Sequence, residues 1–138
     1  MRRLSAITFL APDYDEAIDW FRHALGFTLI EDTPLEGGKR WVVMAPEVGN
    51  GARLVIAKPA SELQRARVGD AVGGRVGYFL ETDDFARNHA SMVARGVRFL
   101  ESPREMEYGT VAVFVDPWGG KWDLIQVRTR RLADNAPP

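Results

Sequence analysis

Arg53 and Asp123 are the two side chains whose types and spacing most directly suggest chemistry. They lie 70 positions apart, the same offset that relates two similar halves of the chain. A guanidinium facing a carboxylate forms a charge-assisted pair, especially where water is partly excluded. Such a pair either orients a polar ligand or closes the fold as a structural salt bridge. The sequence leaves both roles open.

Aromatic side chains in predicted strands and turns form a second candidate set. Its members are Trp41, Phe79, Tyr108, Trp118 and Trp122. Tryptophan and tyrosine combine a flat apolar face with one polar tip, which suits a planar or glycosylated ligand. Because side chains alternate along a strand, Trp122 and Asp123 cannot both face one cavity. We therefore predict that Trp122 packs in the core beneath a helix, and that Trp41 and Tyr108 are the stronger ligand-binding candidates.

Carboxylates form the third set. Glu81 lies on a predicted strand, and the segment 101–107 (ESPREME) carries three carboxylates. Carboxylates at a cavity can perform general acid–base chemistry if burial raises the pKa of one of them. Nothing in the sequence indicates such burial, so we expect a solvated polar loop and assign no catalytic residue. The two histidines, His23 and His89, lie on predicted helices.

An internal repeat must position these residues. Residues 7–57 align with residues 77–127, and Gly26 aligns with Gly96. In each copy an apolar strand is followed by a helix and three further strands, and Asp13 is predicted to begin the first helix. A repeat of this length indicates one supersecondary unit that buries its apolar face against its copy. The sequence therefore predicts an α+β fold of two paired β-α-β-β-β modules with a cleft between them.

We assign the whole chain, residues 1–138, to one domain. Module one covers residues 3–58, and a hinge with a short helix beginning after Ser61 covers residues 59–74. Module two covers residues 75–128, and residues 129–138 form a tail that we expect to be loose.

Composition excludes several classes of protein. The net charge of −1 provides no positive field for nucleic acid or an anionic membrane. The absence of cysteine excludes disulfides and thiol nucleophiles. No apolar stretch approaches the roughly 20 residues that span a bilayer. We expect a cytoplasmic protein without nucleic-acid or membrane partners.

Three segments carry a resemblance to a known superfamily. They are residues 17–21 (AIDWF), residues 25–27 (LGF) and residues 116–124 (DPWGGKWDL). The chain resembles the vicinal-oxygen-chelate superfamily, which includes glyoxalase I, bleomycin-resistance proteins and extradiol dioxygenases. The resemblance implies modules whose mixed sheet curls around a cavity, and a homodimer.

The resemblance also implies where a metal would be held, on the first and last strands of each module. These positions fall here on Ala6 or Ile7, Gly77, Arg53 or Leu54, and Asp123. Only Asp123 is a metal-ligand type, and a divalent cation needs several good donors. We therefore predict no metal and no cofactor.

We expect a metal-independent protein that binds a small aromatic or antibiotic-like molecule in the cleft between the modules. Its predicted ligand-binding residues are Trp41, Arg53, Phe79, Glu81, Tyr108 and Asp123. The alternative is an enzyme, which would be a glyoxalase-I-like lyase or dioxygenase with a degenerate metal site, or a metal-free isomerase. The isomerase would use Glu81, Glu105 or Asp123 as its base. A third possibility is a dimeric module with no small-molecule ligand.

Overall fold

The computed structural model describes residues 1–49 and 51–128. The chain divides into two compact units, with the boundary between Ala71 and Val72, inside the predicted hinge. The tail predicted to be loose, residues 129–138, lies outside the described residues. Within the described part of the chain, none of the helices is both long enough and apolar enough to cross a bilayer.

The described part of the first unit contains four strands, two helices and one 3-10 turn. Its elements are β1 (Ala6–Leu10), α1 (Tyr14–Leu25), β2 (Thr28–Pro34), the 3-10 turn Glu36–Gly38, β3 (Arg40–Ala45), β4 (Arg53–Ala57) and α2 (Glu62–Arg65). The described part of the second unit contains five strands and one helix. Its elements are β5 (Val76–Glu81), α3 (Phe85–Ala94), β6 (Arg98–Phe99), β7 (Arg104–Met106), β8 (Gly109–Val115) and β9 (Lys121–Val127).

The ends of the helices are set by short local signals. The Asp13 carboxylate accepts a hydrogen bond from the backbone N–H of Glu16 at 2.9 Å, which satisfies one of the unpaired donors at the start of α1. Gly26 ends α1 in the left-handed conformation, with φ of 70°. Its equivalent in the repeat, Gly96, follows α3 with φ of 88°. The hydroxyl of Ser61 caps α2 in the same manner as Asp13, as predicted.

Both units contain a sheet with the same topology. The strand order is β1-β4-β3-β2 in the first sheet and β5-β9-β8-β6 in the second. In each sheet the first and last strands pair in parallel, and the other neighbours pair antiparallel. Two mixed sheets and few helices confirm the predicted α+β class, and the matching strand orders reflect the internal repeat.

The second unit departs from the prediction at one element. Residues 104–106, expected to lie in a solvated loop, form β7, which pairs antiparallel with β8. The strand is only three residues long and two of those residues are charged. Neither its length nor its pattern resembles that of a buried strand, so its conformation depends on contacts with other parts of the chain, which include its pairing with β8 and hydrogen bonds from Arg128.

The core of each unit lies between the helix and one face of the sheet. In the first unit the Phe21 ring of α1 contacts the Phe9 ring of β1, with ring centres 5.2 Å apart. In the second unit a series of aromatic rings extends from α3 across the sheet, and successive ring centres are 4.3 to 5.7 Å apart. The series comprises Phe85, His89, Phe99, Phe114, Trp122 and Tyr78.

Candidate functional site

The second sheet has one face covered by α3 and one face turned away from it. Phe114 and Trp122 lie on the covered face, as their contacts with the aromatic series show. Since side chains alternate along a strand, Asp123 lies on the opposite face, which we call the far face. The register places Phe79 of β5 and Val113 of β8 beside Asp123 on that face.

Asp123 is the most unusual polar residue of the far face. Its Oδ1 atom is buried and has no hydrogen-bond partner among residues 1–49 and 51–128. Burial raises the pKa of the Asp123 carboxyl, since water no longer stabilises the charged form. The Arg104 charge opposes that rise and the Glu101 charge adds to it. Asp123 therefore has a carboxylate oxygen that can accept a hydrogen bond but receives none from the residues that the structure describes.

Arg104 reaches the far face from β7 because Glu101 holds it. One oxygen of the Glu101 carboxylate, Oε1, accepts a hydrogen bond from Arg104 Nε at 3.0 Å. The other, Oε2, accepts one from the backbone N–H of Val113 at 2.9 Å. Glu101 lies between β6 and β7, where the chain does not form a strand. Its side chain there accepts the hydrogen bond from the Val113 N–H that the backbone of a neighbouring strand would otherwise accept. The side chain expected to be solvated is instead part of the sheet, and it orients Arg104.

The aromatic candidates separate into buried and exposed residues. Trp122 is 3% exposed, which confirms its predicted place in the core. Phe79 is 67% exposed on the edge strand β5, although it is a large apolar residue beside Asp123. Trp41 and Tyr108 are each about half exposed. The structure is thus compatible with ligand contact at Phe79, Trp41 and Tyr108, and their role as ligand-binding residues stays a prediction.

The sequence predicts a turn between β8 and β9, and the burial of Asp116 within that turn was missed. The Asp116 carboxylate is 3% exposed and accepts hydrogen bonds from the backbone N–H groups of Trp118 and Gly120 and from Trp122 Nε1. Burial raises the pKa of Asp116, and these hydrogen bonds oppose the rise. With every oxygen occupied by the protein, Asp116 holds the β8–β9 turn and orients Trp122. The sequence signal was available in the DPWGG segment, which is typical of a turn.

In the first unit, Arg53 of β4 pairs in register with Ala6 of β1. Arg53 and Asp123 belong to different units, and a pair between them stays a prediction. A different arginine, Arg40, forms two ion pairs close to α1. It contacts Asp32 at 2.6 Å and Asp15 at 2.9 Å. These contacts join β3 to β2 and α1, so Arg40 is structural.

Glu81, the last predicted ligand-binding residue, lies at the end of β5. It pairs in register with Ile125 of β9, which places it on the far face, two positions after Phe79. Its side chain is exposed. Phe79, Glu81 and Asp123 therefore share one face of one sheet, whereas Tyr108 lies in the loop before β8.

Comparison with known proteins gives the family of the chain. Residues 3–124 match the Glyoxalase/Bleomycin resistance protein/Dioxygenase superfamily. The chain belongs to this superfamily. An uncharacterised protein from Shewanella frigidimarina is 45% identical over 126 residues, which cover 91% of this chain and 93% of that protein.

Two solved structures are also similar to this chain. One is TnmS3, an antibiotic binding protein from Streptomyces sp. CB03234, with 28% identity and a TM-score of 0.76 over 92% of this chain and 97% of that one. The other is UcmS2, with 29% identity and a TM-score of 0.77 over 91% of this chain and 98% of that one.

The positions that hold a metal in the superfamily do not carry a suitable donor set in this chain. Ala6 faces Arg53 in the first sheet, Gly77 has no side chain, and Asp123 is paired with Phe79. Within residues 1–49 and 51–128, no three His, Cys, Asp or Glu side chains are grouped as a metal site requires. A methyl group, a hydrogen, a guanidinium and one carboxylate do not fit a divalent cation.

Proposed function

We propose that this chain binds a small aromatic organic molecule, without a metal, on the far face of the second sheet. The observation that carries the proposal is the buried Oδ1 atom of Asp123, which has no hydrogen-bond partner in the described part of the chain. An antibiotic binding protein among the similar structures supports the same class of function.

The energetics favour a ligand that donates to Asp123. A buried polar group without a hydrogen bond costs about 1–3 kcal/mol. A ligand that donates a hydrogen bond to Oδ1 removes that cost on binding. Val113 and Ile125 lie on the same face as Asp123 and offer apolar surface to an aromatic ring. Exposed Phe79 offers a second aromatic surface beside them.

The first test replaces the carboxylate. We expect Asp123→Leu to raise the free energy of unfolding by about 1 kcal/mol, because it removes an unsatisfied buried group. The same change abolishes ligand binding if the oxygen serves the ligand. Asp19→Leu, on the exposed side of α1, is the matched control. Stability is measured by chemical denaturation, and binding by quenching of tryptophan fluorescence across a panel of aromatic compounds.

Two results would count against the proposal. One is a panel without any binder. The other is an Asp123→Leu variant that is less stable than the wild type and binds the panel unchanged, which would make Asp123 structural. We expect a chelator to leave the affinities unchanged, and a loss of binding in its presence would contradict the metal-independent part.

Trp41 and Arg53 are separate candidates in the first unit. We expect Trp41→Phe and Arg53→Ala to weaken binding of the same panel if these residues contact the ligand. An Arg53→Ala variant that loses stability but keeps its affinities would favour the structural salt bridge.

The second candidate function is catalysis with Asp123 as a general base. Burial raises the pKa of this carboxyl toward the range in which a base is effective at neutral pH. The direct test is turnover of the methylglyoxal–glutathione adduct, with and without added Ni²⁺ or Zn²⁺. Turnover that disappears in Asp123→Asn would favour the enzyme over the binding protein.

A further inference from the structure

Arg104 and Asp123 offer complementary hydrogen-bonding groups on one face of one sheet. We propose that they recognise a planar ligand group that carries a donor and an acceptor together, of which an aromatic carboxamide is the simplest example. This inference rests on the proposed function and names the ligand class for the same site.

The register brings both residues to the far face. Arg104 of β7 pairs with Val111 of β8, and Val111 pairs with Ile125 of β9. Paired residues lie on the same side of a sheet, and Asp123 is two positions before Ile125, so it lies on that side as well. The two residues are separated by β8, which corresponds to about 10 Å between their strands. Val113 and Ile125, which are both partly exposed, lie on this face next to the buried Val111.

Glu101 makes Arg104 a fixed group rather than a mobile one. The guanidinium is held at Nε by Glu101, and its Nη1 atom lies 3.7 Å from the Met106 sulfur. The Nη2 atom has no hydrogen-bond partner within the described residues. Because Glu101 is itself held by the Val113 backbone, the direction of the unused donors is set by the sheet. Glu101 is therefore a positioning residue, whereas Arg104 touches the ligand.

The chemistry of the two groups selects the ligand. A guanidinium only donates hydrogen bonds and an ionised carboxylate only accepts them. A ligand must then offer an acceptor to Arg104 and a donor to Asp123. A carboxamide does both through its oxygen and nitrogen. A ligand carboxylate is repelled by Asp123, and a protonated amine is repelled by Arg104 and offers it no acceptor.

The experiment uses the full chain and four matched probes: benzamide, benzoate, benzylamine and toluene. Ligand-observed NMR titration gives the affinity of each probe. We expect benzamide to bind about 10-fold more tightly than toluene, because charge-assisted hydrogen bonds are added to the same ring contact. We expect benzoate and benzylamine to bind more weakly than benzamide.

Three variants test the assigned residues. Arg104→Met keeps much of the side-chain volume. It is expected to lower the affinity for benzamide about 10-fold and to change the affinity for toluene by less than about 2-fold. Glu101→Gln keeps an acceptor for the Val113 backbone but removes the charge that holds Arg104. It is expected to weaken the binding of benzamide but not of toluene, and by a smaller factor than Arg104→Met does. Arg87→Met, on the exposed surface of α3, is the matched control and is expected to change neither probe.

The outcomes separate this inference from the proposed function. If toluene and benzamide bind equally, or if Arg104→Met weakens both to the same extent, the inference is wrong and the proposed function stands. If benzoate binds more tightly than benzamide, Arg104 acts without Asp123 and the inference is also wrong. If none of the four probes binds, both the inference and the proposed function are wrong.

Discussion

The Asp116–Trp122 hydrogen bond gives the sharpest test of the stability reasoning. Trp122 Nε1 donates to Asp116 Oδ2 at 3.0 Å, and both residues are 3% exposed. Asp116→Asn keeps the size of the side chain and can keep Oδ1 as an acceptor for the two backbone donors. It places an NH₂ group, itself a donor, where the indole N–H needs an acceptor.

The magnitude follows from the burial. A hydrogen bond to a charged group contributes about 1.5–3 kcal/mol, and a buried donor without an acceptor costs about 1–3 kcal/mol. We expect Asp116→Asn to lower the free energy of unfolding by about 2–3 kcal/mol. Trp122→Phe removes the donor but also the stacking of the indole with Tyr78, whose ring centre is 4.6 Å away. The double variant isolates the hydrogen bond, and we expect a coupling energy of about 2 kcal/mol.

Urea denaturation followed by far-UV circular dichroism is the assay, because it does not depend on the tryptophan that is replaced. Two compact units can unfold in separate steps, so the transition must be checked for two-state behaviour before free energies are compared. Asp83→Asn, at an exposed position before α3, is the control and should change stability by less than about 0.5 kcal/mol. A loss below about 0.5 kcal/mol for Asp116→Asn, or additive single effects in the cycle, would refute the reasoning.

Three further predictions concern the backbone, acid stability and assembly. Gly109→Ala places a Cβ 2.1 Å from the Gln126 carbonyl oxygen at a φ of 154°, so we expect urea denaturation to show a loss of about 3 kcal/mol or more in the free energy of unfolding. The control Gly73→Ala places its Cβ near no other atom and should lower that free energy by about 1 kcal/mol. The hydrogen bond from Arg40 lowers the pKa of Asp32 below its usual 3.8. The ionised Asp32 therefore contributes about 1 kcal/mol to the free energy of unfolding above pH 3.8, and this contribution is lost as the pH falls through the folded-state pKa. An Asp32→Asn variant should therefore be less stable than the wild type at pH 7, and the difference should shrink as the pH falls through the folded-state pKa of Asp32; a difference that is independent of pH would contradict the prediction. Finally, the homodimer implied by the resemblance predicts a dimeric sedimentation coefficient at micromolar concentration, and a monomer there would contradict it.

The repeat made the fold predictable, whereas tertiary contacts limited the prediction of the site. Alternation along β9 correctly assigned Trp122 to the core. Strand alternation could not show that Asp123 Oδ1 is buried without a hydrogen-bond partner among the described residues, because that depends on the packing of neighbouring side chains.

The residues that were missed make contacts across the chain. Arg40 contacts Asp15, 25 positions earlier, through an ion pair that no local pattern encodes. Glu101 accepts a hydrogen bond from the Val113 backbone, 12 positions later, in the place of a strand. A charged side chain in a polar segment gives no sign of this in the sequence, so the orientation of Arg104 could be found only from the structure.

The strand order has a consequence for how this chain folds. In each unit the last strand of the described residues, β4 or β9, lies between the first strand and the strand that precedes it along the chain, so the earlier strands cannot form a continuous sheet without it. Ala6 pairs with Arg53, and Phe79 pairs with Asp123, so the parallel pairs form only after the last strand is present. Such distant pairing slows folding relative to a chain of local hairpins. We therefore expect each sheet to become continuous only after its final strand has been synthesised.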